Sequence, residues 1–204
     1  RMEVKSREEL IDYFGSSTAE AMAIARSHDF TLYTDDLMVA AQATQELGLG
    51  RVWSQAIFQW AADNHLLSWD MFTKFTADLM RNGYCHVYLN GEAASQLLEE
   101  AGYYFFKFPF QRVMDWIGSF HIDDEGVQVI AESILRSLYY NAEQFPRHTS
   151  AAAVLSRINS RPQGWVILSN IAARSATIAN GNATLRKWIQ QLVGVVENPN
   201  PRLQ

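Results

Sequence analysis

Residues 30–36 read Phe30-Thr31-Leu32-Tyr33-Thr34-Asp35-Asp36. The first five of these residues alternate and are of types that favour strands, so they predict a β-strand. The two aspartates stand at the carboxyl end of that strand, directly before a helix predicted over residues 37–47 and closed by Gly48. This stretch therefore predicts a strand-to-helix turn that carries two carboxylates.

Strand and helix patterns alternate on both sides of this turn. Two helices are predicted before residue 30, and the following segments are predicted after it: strands at 51–53 and 84–89, and helices at 55–66, 68–81 and 92–101. Strands that alternate with helices over roughly ninety residues indicate a parallel sheet with helices on its faces. We therefore expect an α/β arrangement in residues 1–102.

The pattern changes after Gly102. Residues 103–110 hold six aromatic side chains in eight positions, and we expect this run to pack in a core or an interface. The residues beyond it predict only helices: 110–120, 124–145, 150–160, 163–179 and 182–195. The expected fold class is thus helix-rich α/β, with a small parallel sheet in a domain of residues 1–102 and an all-helical region in residues 103–204.

The composition restricts the class of protein. In 204 residues, 48% are hydrophobic and 12% aromatic, which is ample material for a packed core. The single cysteine excludes an intramolecular disulfide, and the chain shows no apolar run of eighteen residues and no leader pattern. We expect a cytoplasmic protein with no membrane partner. Arg1 before Met2 suggests either a residue left by cloning or a domain excised from a longer protein.

Charge is unevenly distributed along the chain. Residues 1–102 contain 15 acidic and 7 basic side chains, whereas residues 103–204 contain 7 acidic and 10 basic ones. A basic tract can bind RNA or an acidic protein partner. The candidates for that contact are Arg147, Arg157, Arg161, Arg174 and Arg186. The alternative is that these arginines are scattered over solvated helix faces.

Paired carboxylates at the carboxyl end of a parallel strand lie where open α/β sheets bind ligands. Clustered carboxylate oxygens are the ligands that Mg²⁺ and Mn²⁺ prefer. Glu20 lies on the helix before the strand, from which a long side chain can reach the same crevice. The candidate catalytic and metal-binding residues are therefore Glu20, Asp35 and Asp36. The alternative is that Asp35 or Asp36 caps the helix that begins at Leu37.

These residues also carry a resemblance to a family. The segment Ser17-Thr18-Ala19-Glu20-Ala21-Met22-Ala23-Ile24-Ala25, the strand that follows, Asp35-Asp36, and a helix ending in Glu46-Leu47-Gly48-Leu49 resemble the second half of a PIN domain. The resemblance covers residues 14–92 or thereabouts. It implies a metal-dependent ribonuclease in which carboxylates hold one or two divalent ions. Glu20 and Asp35 match the acidic positions of that family, and Asp36 is the adjacent candidate.

The chain departs from the PIN pattern at its start. A complete PIN domain begins with a strand that ends in an essential aspartate, and no such strand precedes the matching region here. Either the chain is a fragment, or an additional chain supplies the strand, or the module is degenerate. The expected function is a non-catalytic or degenerate PIN-like interaction module within a larger protein or complex. The alternative is a Mg²⁺- or Mn²⁺-dependent ribonuclease that cleaves RNA.

Other prominent residues predict packing or capping. We expect four tryptophans to pack, because surface tryptophans are costly without a partner: Trp53, Trp60, Trp69 and Trp116. Asp123 and Asp124 are expected to cap the long helix that follows them. Cys85 and His86 lie on opposite faces of a predicted strand, so they cannot form one site.

Overall fold

A computed structural model of the chain describes residues 7–84, 87–119 and 122–197. Within these residues the chain forms twelve helices and two short strands. The elements are, in order, α1 (Arg7–Phe14), α2 (Ser16–His28), β1 (Leu32–Tyr33), α3 (Leu37–Leu47), β2 (Arg51–Val52), α4 (Ser54–Asp63), α5 (Trp69–Arg81), α6 (Gly91–Glu100), α7 (Phe110–Ile117), α8 (Asp124–Asn141), α9 (Gln144–Asn159), α10 (Gly164–Ala173), α11 (Ser175–Ala179) and α12 (Ala183–Glu197).

The sheet is much smaller than the sequence predicts. β1 and β2 pair in parallel, with Leu32 opposite Arg51 and Tyr33 opposite Val52. Their ladder includes hydrogen bonds from Leu32 N to Gly50 O at 2.8 Å and from Thr34 N to Val52 O at 3.0 Å. The expected α/β fold with a PIN-like, Rossmann-like sheet and a helical extension is therefore wrong. In the described ranges the regular structure is helical apart from this single pair of strands.

The third predicted strand, at 84–89, shows why the sheet was overestimated. Cys85 and His86 lie outside the described residues, and the remainder of the segment forms no strand. Val87 and Leu89 are buried whereas Tyr88 is exposed, so the alternation in the sequence is real. The carbonyl of Val87, however, accepts its hydrogen bond from the indole Nε1 of Trp116 at 3.0 Å. Buried and exposed side chains alternate along any extended segment. They do so whether the backbone groups of the segment form hydrogen bonds with a neighbouring strand or with a side chain.

The sequence predicts eleven helices, and the described residues form twelve because the helix predicted at 163–179 is divided into α10 and α11. Asp29 directly after α2 and Gly48 directly after α3 are both in the left-handed conformation that ends a helix, as the breakers in the sequence indicate. The helices predicted at 124–145 and 150–160 instead meet at residues 142–143. Pro146 lies in the first turn of α9, where its missing N–H leaves no helical hydrogen bond unmade.

The chain divides into two compact units, residues 1–72 and 73–204, with the division inside α5. The boundary expected near residues 103–110 thus lies within the second unit. A small apolar cluster from α1, α2, β1 and α3 forms the core of the first unit, and it includes Leu10, Ala19, Met22, Ala25, Leu32, Val39, Ala43 and Leu49.

The core of the second unit surrounds α8. Its buried apolar residues recur at helical spacing: Val127, Ile130, Ala131, Ile134, Leu135 and Leu138. α8 packs against α6, α9 and α10. None of the helices in the described part of the chain combines the length and the apolar character that a membrane span requires.

Candidate functional site

Asp35 links the end of β1 to the start of α4. Its Oδ1 accepts a hydrogen bond from Ser54 N at 2.8 Å, and its Oδ2 accepts one from Ser54 Oγ at 2.6 Å. Ser54 Oγ also lies 2.7 Å from the hydroxyl of Tyr33. An ionised carboxylate only accepts, so the single hydroxyl proton of Ser54 goes to Asp35 and Tyr33 donates to Ser54. Both oxygens of Asp35 are thus engaged at the N-terminus of α4.

Asp36 is the N-cap of α3. Its Oδ1 accepts hydrogen bonds from Met38 N at 2.8 Å and Val39 N at 3.1 Å, and its own N–H donates to Thr34 Oγ1 at 3.1 Å. The first N–H groups of a helix have no partner within the helix, and an aspartate at this position supplies one. The alternative interpretation of the turn, helix capping, is therefore confirmed for Asp36. We call residues Thr34, Asp35 and Asp36 the carboxylate turn.

The two carboxylates of the turn bind the N-termini of two helices. Each carboxylate lies at a helix N-terminus, where the macrodipole places partial positive charge and stabilises an anion. Glu20 is an exposed residue of α2. Within the described residues, no three histidine, cysteine, aspartate or glutamate side chains are arranged to hold a metal ion. A Mg²⁺ or Mn²⁺ site at Glu20, Asp35 and Asp36 therefore stays a prediction.

Asp36→Ala is expected to lower the free energy of unfolding by about 1 kcal/mol, because two N–H groups of α3 lose their acceptor. Asp36→Asn retains an oxygen acceptor, so we expect it to lower the free energy of unfolding by only a few tenths of a kcal/mol. This is roughly the loss of the attraction between the charge and the helix dipole. Urea unfolding followed by circular dichroism measures both changes. Equal stability of the alanine variant and the unaltered chain would show that the cap contributes nothing.

Arg161, a candidate for RNA or partner binding, is buried, with 6% of its surface exposed. Its Nη1 donates to Ile117 O at 2.8 Å and Ser119 O at 2.6 Å, and its Nη2 donates to Ile122 O at 2.7 Å. Its Nε and Nη2 also bind Asp124 Oδ1 at 3.2 and 2.9 Å. The guanidinium group thus ties the C-terminus of α7 to the beginning of α8.

The other arginines of the basic tract differ in exposure. Arg147 is half-buried and donates to Ala142 O, where α8 ends, at 2.7 Å. Arg157 is exposed and donates to Met114 O at 3.3 Å, and Arg174 lies 3.4 Å from Glu132. Arg186 is exposed on α12. Several of these cations therefore bind helix carbonyls, which carry partial negative charge near a C-terminus.

Sequence reasoning missed one surface of α4. Ile57 and Trp60 of α4 are 40% and 59% exposed, and their spacing of three residues places them on one helix face. Trp53, the N-cap residue directly before α4, is 38% exposed. We call these three residues the α4 stripe. The opposite face carries Gln55 and Ala62, which are only 3% and 1% exposed. α4 therefore turns its apolar face outward.

The expectation that the tryptophans pack was wrong for most of them. Trp116 is buried at 6% exposure, whereas Trp69 is 52% exposed. Trp53 and Trp60 of the α4 stripe are exposed as well. Above Trp53, the guanidinium carbon of Arg51 lies 5.1 Å from the ring centroid, a cation–π contact. The sequence shows the spacing of the stripe, but a stripe of this kind usually marks the buried face.

The carboxylate turn and the α4 stripe are adjacent through Ser54, which is bound to Asp35 and follows Trp53 in the chain. The first supplies hydrogen-bond acceptors to two helices, and the second presents apolar surface to solvent. No family model, no curated protein and no solved structure matches the chain, so the resemblance to PIN domains stays a prediction.

Proposed function

We propose that this chain is a non-catalytic interaction module of a larger protein or complex, and that the α4 stripe is its contact surface. The observation that carries the proposal is the exposure of Ile57 and Trp60 on one face of α4 and of Trp53 directly before that helix. Single exposed apolar residues are ordinary, but adjacent ones on the surface are typical of interaction sites.

The orientation of α4 supports this proposal energetically. Complete burial of a side chain as large as isoleucine is worth about 2 kcal/mol. α4 realises only part of this gain for three large side chains, which are 38% to 59% exposed, while it buries Gln55. A partner that covers the α4 stripe recovers the remaining part on binding. Tryptophan is also among the residues that contribute most to binding at protein interfaces.

The non-catalytic part of the proposal is supported by the carboxylate turn. A ribonuclease of the kind that the PIN resemblance implies needs these carboxylates as ligands of divalent ions. Asp35 instead binds Ser54 through both oxygens, and Asp36 binds two N–H groups of α3. A cation at this position would face the positive ends of two helix dipoles.

The test is an assay of the purified chain with single-stranded RNA and Mn²⁺, beside a Glu20→Gln, Asp35→Asn double variant. Both substitutions preserve shape and remove negative charge, so the variant reports contaminating nuclease while it keeps an acceptor for Ser54. We expect the same trace of cleavage from both proteins. Under this proposal the chain does not cleave RNA, so any trace comes from contaminating nuclease and does not depend on the two carboxylates.

Robust cleavage by the unaltered chain that disappears in the double variant would overturn the proposal. It would assign Glu20 and Asp35 to metal binding and make the chain a Mn²⁺-dependent ribonuclease. Circular dichroism of both proteins shows whether the variant keeps its helices, so that a loss of cleavage is not mistaken for unfolding.

A further inference from the structure

We propose that the partner of the α4 stripe is a basic amphipathic helix. This inference rests on the proposed function, which makes the α4 stripe a contact surface, and it adds the chemical class of the partner. It is carried by three observations on the first unit: its net charge, the carboxylate at one end of the stripe, and the length of the stripe.

The acidity of the chain is concentrated in the unit that carries the α4 stripe. The first unit, residues 1–72, contains eleven acidic and five basic side chains, a net charge of −6. Residues 73–204 contain eleven acidic and twelve basic side chains, a net charge of +1. A surface on the first unit therefore attracts cationic partners and repels acidic ones, and this attraction steers association over a distance of about 10 Å.

An exposed carboxylate lies at the carboxyl end of the α4 stripe. Asp63 is the last residue of α4 and follows Trp60 by three positions. Apolar side chains with an acidic group at one end complement a helix that has an apolar face and a basic flank.

The indole rings of the stripe also favour cations. The guanidinium group of Arg51 already lies over the ring of Trp53. Trp60 is the more exposed of the two rings, at 59%, and its face can accept a lysine or arginine of the partner in the same way. A basic partner thus gains from the rings as well as from the carboxylate of Asp63.

The dimensions of the stripe fit a helix of modest length. Seven positions separate Trp53 from Trp60, which is about 10 Å or two helical turns. An amphipathic helix presents apolar anchors with the same periodicity. A contact of two turns buries a small area, so we expect a weak and transient complex that is sensitive to salt.

The test uses the full chain and a fluorescently labelled peptide of about 18 residues, composed of leucine and lysine in amphipathic helical order, with anisotropy as the readout. A second peptide carries glutamate in place of every lysine, and a third carries serine in place of every leucine. We expect the leucine–lysine peptide to bind at least about tenfold more tightly than either control, because binding needs both apolar contact and positive charge. Raising the salt concentration from ~50 to ~200 mM is expected to weaken binding of the leucine–lysine peptide several-fold.

Matched variants test the surface itself. Ile57→Gln and Trp60→Gln are each expected to weaken binding by about tenfold, because each removes an apolar anchor of the stripe. Ile24→Gln makes the same change at an exposed isoleucine of α2 in the same acidic unit, and Trp165→Gln does so at an exposed tryptophan of α10. These two controls are expected to change the affinity less than about twofold.

Several results would overturn the inference. Equal binding of the leucine–glutamate peptide would exclude a basic partner, and equal losses in Ile24→Gln and Ile57→Gln would exclude the α4 stripe. Concentration-dependent dimerisation that the Ile57→Gln variant abolishes would identify a second copy of the chain as the occupant. Absence of binding by all three peptides would also reject the basic helix. The ribonuclease assay is independent of these outcomes, so failure here is distinguishable from the discovery of catalysis.

Discussion

Arg161→Leu is expected to lower the free energy of unfolding by about 3 to 5 kcal/mol. The substitution removes the donors for the carbonyls of Ile117, Ser119 and Ile122 and for the carboxylate of Asp124. Each buried acceptor that loses its partner costs about 1 to 3 kcal/mol, less where water reaches it. The side chain of Asp124 is 43% exposed, so water compensates part of its loss.

Urea unfolding gives the size of this effect, and hydrogen exchange of the segment that joins α7 to α8 gives its location. Arg161→Lys keeps the charge but presents one nitrogen instead of a fork, so we expect an intermediate loss. Arg186→Leu is the matched control at an exposed arginine of α12, with an expected change within about 0.5 kcal/mol. Equal losses from Arg161→Leu and Arg186→Leu would contradict the structural role assigned to Arg161.

Gly164→Ala is expected to destabilise the second unit by about 3 kcal/mol. A methyl group built on Gly164 would lie 2.0 Å from Ile158 O and 2.8 Å from Asn159 Cα. Both are backbone atoms at the end of α9, so no side-chain rotation can make room. Either the turn between α9 and α10 moves, or the first turn of α10 unwinds.

The matched control for this substitution is Gly194→Ala in α12. Apart from its chain neighbours and the nearby backbone of its own helix, no heavy atom of the described residues lies within 4 Å of the added methyl group there, and alanine has the higher helix propensity. We therefore expect a gain of about 0.5 to 1 kcal/mol. Opposite shifts of the urea midpoint for the two variants are the expected result. Two shifts of the same sign would show that helix propensity or the unfolded state, and not the close contact, controls both positions.

Capping was predictable from the sequence because it depends on neighbours in the chain. Asp123 was expected to cap the long helix, and its Oδ1 accepts a hydrogen bond from Gly126 N at 2.6 Å. Asp36 likewise binds residues two and three positions later. A cap joins residues within one turn, so the side chain and the helix that it serves lie in the same short segment.

Asp35 could not be assigned in this way. Its partner, Ser54, is nineteen residues away, and the two meet only because β1 and β2 pair in parallel. The sequence marked Asp35 as chemically notable from its place after a strand. The pairing of the strands decided that its oxygens bind the beginning of α4.

The sequence by itself determined where most helices lie, where several of them begin and end, and which side chains cap them, because these properties follow from contacts within a few residues. Only the tertiary structure decided that the sheet stops at two strands, that Arg161 is a buried tie between helices, and that the α4 stripe faces outward. The reason is that a periodic apolar pattern identifies a helix face without specifying what covers it. For Trp53, Ile57 and Trp60 the pattern is that of a core helix, and packing elsewhere in the unit left that face exposed.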